Sequence, residues 1–234
     1  MRELAWLGIV RHGQSIGNIA AERAERGNAE VIDLAERDAD VPLSPTGEHQ
    51  AQAVGRLLAA QPPDLVIASP YLRTRQTAGI ALTGLDVPLL VDERLRDREL
   101  GVLDLLTNAG VRARFPEEER RRARLGKFYY RPPGGESWAD VLLRLRSVLR
   151  ELREDHAGAR VLLVAHEATV WLVRYLVEGL AEPELMSLAR GQAIANCSIS
   201  AWRDGTAERF NDVGHLAEHG APATEQEEVR AEPA

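Results

Sequence analysis

Four short apolar runs, residues 4–10, 65–68, 87–91 and 161–165, are separated by segments with helical spacing. Runs of this length bounded by turn residues read as buried strands. Strands that alternate with helices form a parallel sheet covered on both faces. The expected fold class is therefore α/β, a three-layer α/β/α sandwich. Residues 198–203 and 206–210 flank Asp204-Gly205, a two-residue hairpin signal. The mostly parallel sheet thus gains an antiparallel edge strand.

The helices announce their starts. Ser44 precedes Pro45, an N-cap followed by proline at the first helical position. Ala51, Val54, Leu57 and Leu58 then share one face. Ser69-Pro70 repeats the device after the second strand. Ser137 with Asp140 resembles a capping box, and Val141, Leu145, Val148 and Leu152 make the apolar stripe that follows, widened by Leu142 and Leu149. The helix from Ala168 is apolar nearly all round and is expected to be buried. Residues 19–41 and 104–136 read as polar and irregular. The second is expected to be a cap inserted over the site of a single domain spanning 1–215. Residues 216–234, with Pro222, Glu225, Glu227, Glu228 and Glu232, read as a disordered acidic tail.

The 234 residues suffice for a sizeable core. A formal net charge of −7 opposes non-specific nucleic-acid binding, which needs a basic surface. The one cysteine, Cys197, permits neither a disulfide framework nor a cysteine metal cluster, and suits a cytoplasmic location. No stretch matches the roughly 20 apolar residues of a membrane span; the densest, 168–180, contains Arg174 and Glu178. Oligomeric state is left open.

In an open parallel sheet, ligands bind beyond the carboxyl ends of the strands. Those ends carry Arg11-His12-Gly13-Gln14-Ser15, then Ser69 with Arg73 a turn later, then Arg94-Leu95-Arg96-Asp97, then His166-Glu167. This kit suits a phosphate monoester. A neutral imidazole is a competent phosphoryl acceptor. Guanidinium groups match phosphate oxygens. A carboxylic acid of raised pKa would protonate a leaving alkoxide. Gly13 allows close backbone approach behind His12.

Four motifs in order carry a resemblance. Residues 11–18 (Arg-His-Gly-Gln-Ser-Ile-Gly-Asn), 69–78 (Ser-Pro-Tyr-Leu-Arg-Thr-Arg-Gln-Thr-Ala), 134–137 (Gly-Gly-Glu-Ser) and 161–166 (Val-Leu-Leu-Val-Ala-His) are similar to the signatures of the histidine phosphatase superfamily, also called phosphoglycerate-mutase-like. The resemblance runs from about Leu7 to Asn211. It implies that His12 becomes phosphohistidine, and that Arg11, Arg73 and His166 bind the phosphoryl oxygens with help from Asn18. Gln14 and Glu167 are further candidates for substrate contact. The implied reaction needs neither a metal nor another cofactor.

The chain departs from the pattern at three places. Asp97 stands where the commoner branch has a glutamate proton donor, and its reach is shorter by one carbon–carbon bond, roughly 1.5 Å; Glu99 and Glu167 are alternative donors. Glu167 follows His166 where glycine is usual. Leu103-Asp104-Leu105 replaces a frequent Trp-Glu-Gly. The basic stretch 112–131 either meets further negative charge on a substrate or is a solvated face paired with residues 117–119. A phosphomonoesterase acting on a small metabolite is the leading expectation. Phosphoglycerate mutase-type transfer and a catalytically weak phospho-ligand-binding relative are the alternatives.

Overall fold

The computed structural model describes residues 3–225. Its elements, in chain order, are β1 (Trp6–Arg11), α1 (Ile16–Arg26), α2 (Pro45–Ala60), β2 (Leu65–Ala68), α3 (Leu72–Ala81), β3 (Leu89–Val91), α4 (Asn108–Arg114), α5 (Pro116–Tyr129), α6 (Trp138–Asp155), β4 (Arg160–Ala165), α7 (Glu167–Glu178), α8 (Glu182–Gly191), β5 (Ile199–Arg203), β6 (Thr206–Asp212) and α9 (Gly214–Glu218).

The six strands form one sheet in the order β3-β2-β4-β1-β5-β6. β1, β2, β3 and β4 pair in parallel, while β5 is antiparallel to both β1 and β6. The side-chain period of two divides each inner strand between two cores. On β4, Val161, Leu163 and Ala165 face the core shared with α6, α7 and α8. Leu162 and Val164 face the core shared with α2, α3 and α9. This is the α/β/α sandwich expected from the strand–helix alternation. Asp204 and Gly205 both have positive φ, 51° and 76°, as the hairpin turn requires.

Several elements differ from the sequence reading. Leu90 and Val91 are half exposed, at 51% and 52%, because β3 is the edge strand and has a neighbour on one side only. α1 runs on into 19–41, and α4 and α5 lie within 104–136; their polar faces mask the helical period. Ser15 and Asn18 form a capping box at the start of α1, and Thr107 caps α4. Ser69 does not cap α3, which starts after Tyr71 without a side-chain cap.

The expectation of a disordered tail is corrected over 216–225. Leu216 and Ala221 are buried, and Gln50 Nε2 donates to the Pro222 carbonyl (2.8 Å) and to Thr224 Oγ1 (2.9 Å). Apolar residues spaced along a polar stretch anchor it. Residues 226–234 lie outside the described residues. His215 is buried, with Nε2 3.0 Å from the Cys197 carbonyl oxygen. Among the described residues no helix is long and apolar enough to cross a membrane.

Candidate active site

β1 and β4 end side by side, and the His12 N–H donates to the Ala165 carbonyl at 2.9 Å. The chain then turns sharply against the N-terminus of α2. A Cβ on Gly13 would stand 2.6 Å from the Gly47 carbonyl oxygen, so only glycine permits this approach. Thr77 of α3 accepts from the Gly13 N–H at 3.0 Å and donates to the Arg73 carbonyl at 2.7 Å. One hydroxyl thereby ties the His12 loop to the helix that carries Arg73.

His12 is buried, and its Nδ1 lies 2.8 Å from the Gly13 carbonyl oxygen. A carbonyl oxygen only accepts, so Nδ1 carries the proton and the Nε2 lone pair faces outward. Arg73 Nε donates to that Nε2 at 3.3 Å. Burial, then the charges of Arg73, His166 and Arg11, hold the His12 pKa well below its ordinary value. His12 is therefore a neutral imidazole with an oriented lone pair at physiological pH.

Arg73 is the centre of the polar network. Its NH1 donates to the Asp38 carbonyl (2.6 Å) and to Asp38 Oδ1 (2.8 Å), and its NH2 to Asp97 Oδ2 (3.1 Å). The same Asp97 oxygen stands 3.1 Å from His166 Nδ1. His166 Nε2 is hydrogen-bonded with Ser69 Oγ, 2.8 Å away. Ser69 is thus released from capping and aligns the second histidine instead.

Burial alone would raise the Asp97 pKa. His166, Arg73 and the Arg98 N–H outweigh it and hold the carboxyl well below its usual range. Burial lowers the His166 pKa, with Asp97 pulling the other way. Arg11 donates through NH1 to the Ile194 carbonyl, and that nitrogen is 3.6 Å from Glu167 Oε2. Glu167, the residue in the usual glycine position, is the first residue of α7 and stands beside a cation.

A cleft of about 230 Å³ opens over His12, Arg11, Arg73, Asp97, Asn18 and Glu167. The strand ends therefore bring together most of the residues singled out from sequence. His166 is fully buried behind Asp97 and does not border the cleft. Gln14 is a correction. Its Oε1 accepts from Ser44 Oγ at 2.8 Å, and it lines a separate depression with Glu22, Asn196 and Thr224. The rigid hold of α2 on the loop turns that side chain away. Asn18 borders both hollows, with Oδ1 accepting from the Ser15 N–H at 3.0 Å. Glu99 accepts from Tyr71 OH at 3.1 Å.

Of the basic stretch, Arg122 borders the cleft, whereas Arg121 pairs with Glu118 at 3.0 Å. The sequence reading missed Asp38, which lies in an irregular segment without a motif. It also missed Asn196, whose Nδ2 donates to the His12 carbonyl at 3.0 Å.

Residues 7–211 match the model of the histidine phosphatase superfamily, branch 1. The chain belongs to that superfamily, and it is an enzyme of the phosphatase class. It is similar to the probable phosphoglycerate mutase GpmB of Yersinia enterocolitica, 31% identical over 194 residues that cover 82% of this chain and 81% of that protein. It is similar also to the 2,3-bisphosphoglycerate-dependent phosphoglycerate mutase 2 of Gloeobacter violaceus, 32% identical over 208 residues, covering 87% and 89%. Among solved structures, mycobacterial glucosyl-3-phosphoglycerate phosphatase aligns with a TM-score of 0.68 at 27% identity, over 84% of this chain and 89% of that one. The α-ribazole phosphatase of Shigella flexneri shares the fold at 20% identity, with a TM-score of 0.70 over 88% and 96%.

Proposed function

We propose that this histidine phosphatase hydrolyses a phosphate monoester of a small metabolite through a phosphohistidine on His12. The observation that carries the reading is the His12 ring. Its Nδ1 is tied to Gly13, and its Nε2 lone pair is turned toward Arg73 in the cleft.

The bonds balance over two steps. In the first, Nε2 forms a bond to phosphorus and the ester P–O bond breaks. The phosphoryl oxygens take the donors of Arg73, which lets go of Asp97 and of the Nε2 lone pair, with Arg11 and the N-terminus of α7 adding positive potential. Asp97, deprived of Arg73 and facing a dianion, rises in pKa and takes up a proton from solvent. It then gives that proton to the leaving alkoxide. In the second step water attacks the phosphohistidine, its proton passes to Asp97, and inorganic phosphate leaves with Nε2 restored. No step calls for a metal ion. Glu99 and Glu167 are less suited to the donor role, because Glu99 is engaged by Tyr71 and Glu167 stands beside Arg11.

The names of the curated relatives favour a second reading, in which the phosphohistidine is returned to another hydroxyl rather than to water. Release of inorganic phosphate from 4-nitrophenyl phosphate and a metabolite panel, by wild type and His12→Ala side by side, tests the proposal. Release by wild type alone supports hydrolysis. A phosphoenzyme discharged by 3-phosphoglycerate but not by water supports the mutase. Turnover that survives His12→Ala overturns both.

A further inference from the structure

Beyond its phosphoryl end the cleft continues into a part that the chemistry above does not use. Ile32, Leu34, Leu103, Leu105, Leu106 and Val111 line it. They come from two segments locked to each other. Val31 and Leu106 form a bridge, the Ile32 N–H donates to the Leu105 carbonyl at 2.8 Å, and the Thr107 N–H donates to the Glu30 carbonyl at 3.2 Å. The apolar wall is therefore built into the backbone and continuous with the site of phosphoryl transfer.

Carboxylates border the cleft besides the apolar wall. Asp38 and Glu99 are engaged by Arg73 and Tyr71, and Asp104 follows Leu103 directly on the apolar wall. Burial, with the negative charge of Asp38, pushes the Asp104 carboxyl above its ordinary range. Arg98 borders the cleft too, but its guanidinium is turned to carbonyls, with Nε donating to Glu136 at 2.7 Å and NH2 to Tyr130 at 3.4 Å. Arg122 borders the cleft as well, beside Tyr130. A leaving group entering here gains by covering apolar side chains. A second anion entering here loses its water and meets carboxylates.

We propose that the substrate is a phosphomonoester of a bulky, uncharged, apolar alcohol, and that esters bearing a second anionic group on the leaving side are rejected. This rests on the phosphatase reading and narrows it. It separates the chain from proteins acting on a phosphoglycerate, whose leaving group carries a carboxylate.

Three aryl phosphates separate size from charge: phenyl, 4-butylphenyl and 4-carboxyphenyl phosphate. Wild type should turn over the butyl ester with a kcat/KM about tenfold or more above phenyl phosphate, in line with the range for apolar additions in a fitted pocket. The carboxy ester should fall below phenyl phosphate. Leu34→Asn should shrink the butyl advantage, and Asp104→Asn should bring the carboxy ester closer to phenyl phosphate. A carboxy ester turned over as well as the butyl ester by wild type overturns the inference and leaves the phosphatase reading intact. Failure of all three esters, or turnover that persists in His12→Ala, overturns the parent reading instead. Calorimetric binding of 4-butylbenzylphosphonate against 4-carboxybenzylphosphonate still decides the inference in that case: preference for the butyl compound supports it, and equal or reversed preference overturns it.

Discussion

Asp97 Oδ2, at the floor of the cleft, stands 3.1 Å from Nδ1 of the fully buried His166. The pairing holds at the cleft a carboxylate of depressed pKa, the group we propose as proton donor. Its acid role therefore depends on the substrate displacing its partners. An alkyl phosphate needs a proton on its leaving oxygen, and 4-nitrophenolate does not. Asp97→Asn should lower kcat for an alkyl phosphate by about 10²-fold or more, the usual range for a lost general acid. It should spare 4-nitrophenyl phosphate by comparison. Steady-state kinetics on both esters read the difference. An equal loss on both would make Asp97 a positioning residue for Arg73 and His166 rather than a proton donor.

Asn196 links the C-terminal segment to the catalytic loop. Its Nδ2 donates to the His12 carbonyl at 3.0 Å, its N–H to the Thr224 carbonyl at 2.9 Å, and its Oδ1 accepts from Thr224 Oγ1 at 3.0 Å. Gln50 grips the same two segments, accepting from the Gln14 N–H at 2.9 Å and donating to Thr224. Thr224→Val keeps the shape and leaves buried amide groups short of a partner, a loss of about 1–3 kcal/mol. It should lower kcat several-fold with little change in KM, because the loop loosens while the phosphate donors remain. Thr224→Ser should restore the rate. A kcat unchanged in Thr224→Val, with the melting temperature lowered, would confine the segment to a structural role.

Much of this molecule was legible from its residues because two signals are strong. Apolar runs of strand length identified β1, β2 and β4, and Asp204-Gly205 identified the β5–β6 hairpin. The site was legible because His12, Arg73 and His166 occupy strand ends or the turn after one. What escaped lacks period or motif. α1 and α5 are too polar for an apolar stripe to stand out. Asp38 reaches Arg73 from a segment whose path is set by tertiary contacts, including the Val31–Leu106 bridge. Gln14 sits in the most recognisable motif and still turns away, because its direction is decided by Ser44 and Gln50 on another helix. A motif names the residue and leaves its orientation to packing.

The buried histidines make stability depend on pH in a direction that follows from their shifts. Burial lowers the pKa of His12, His166 and His215 below the ordinary value of 6.5. Below that value the unfolded chain takes up protons that the folded chain refuses, so protonation favours unfolding. Each of the three contributes stability that is complete above about pH 6.5 and is lost as pH falls toward its folded-state pKa. The carboxylate of Asp97 is shifted down as well, so its own contribution is lost only below the ordinary carboxylate range near pH 3.8. Between pH 6.5 and 5 the histidines therefore dominate among these groups. The melting temperature should be flat from pH 8 to 7 and fall steadily below 6.5. His12→Gln, which keeps a polar side chain without the titrating ring, should reduce the slope in that window. A melting temperature that holds level down to pH 5, or a slope untouched by His12→Gln, would mean that His12 is not held neutral by the fold.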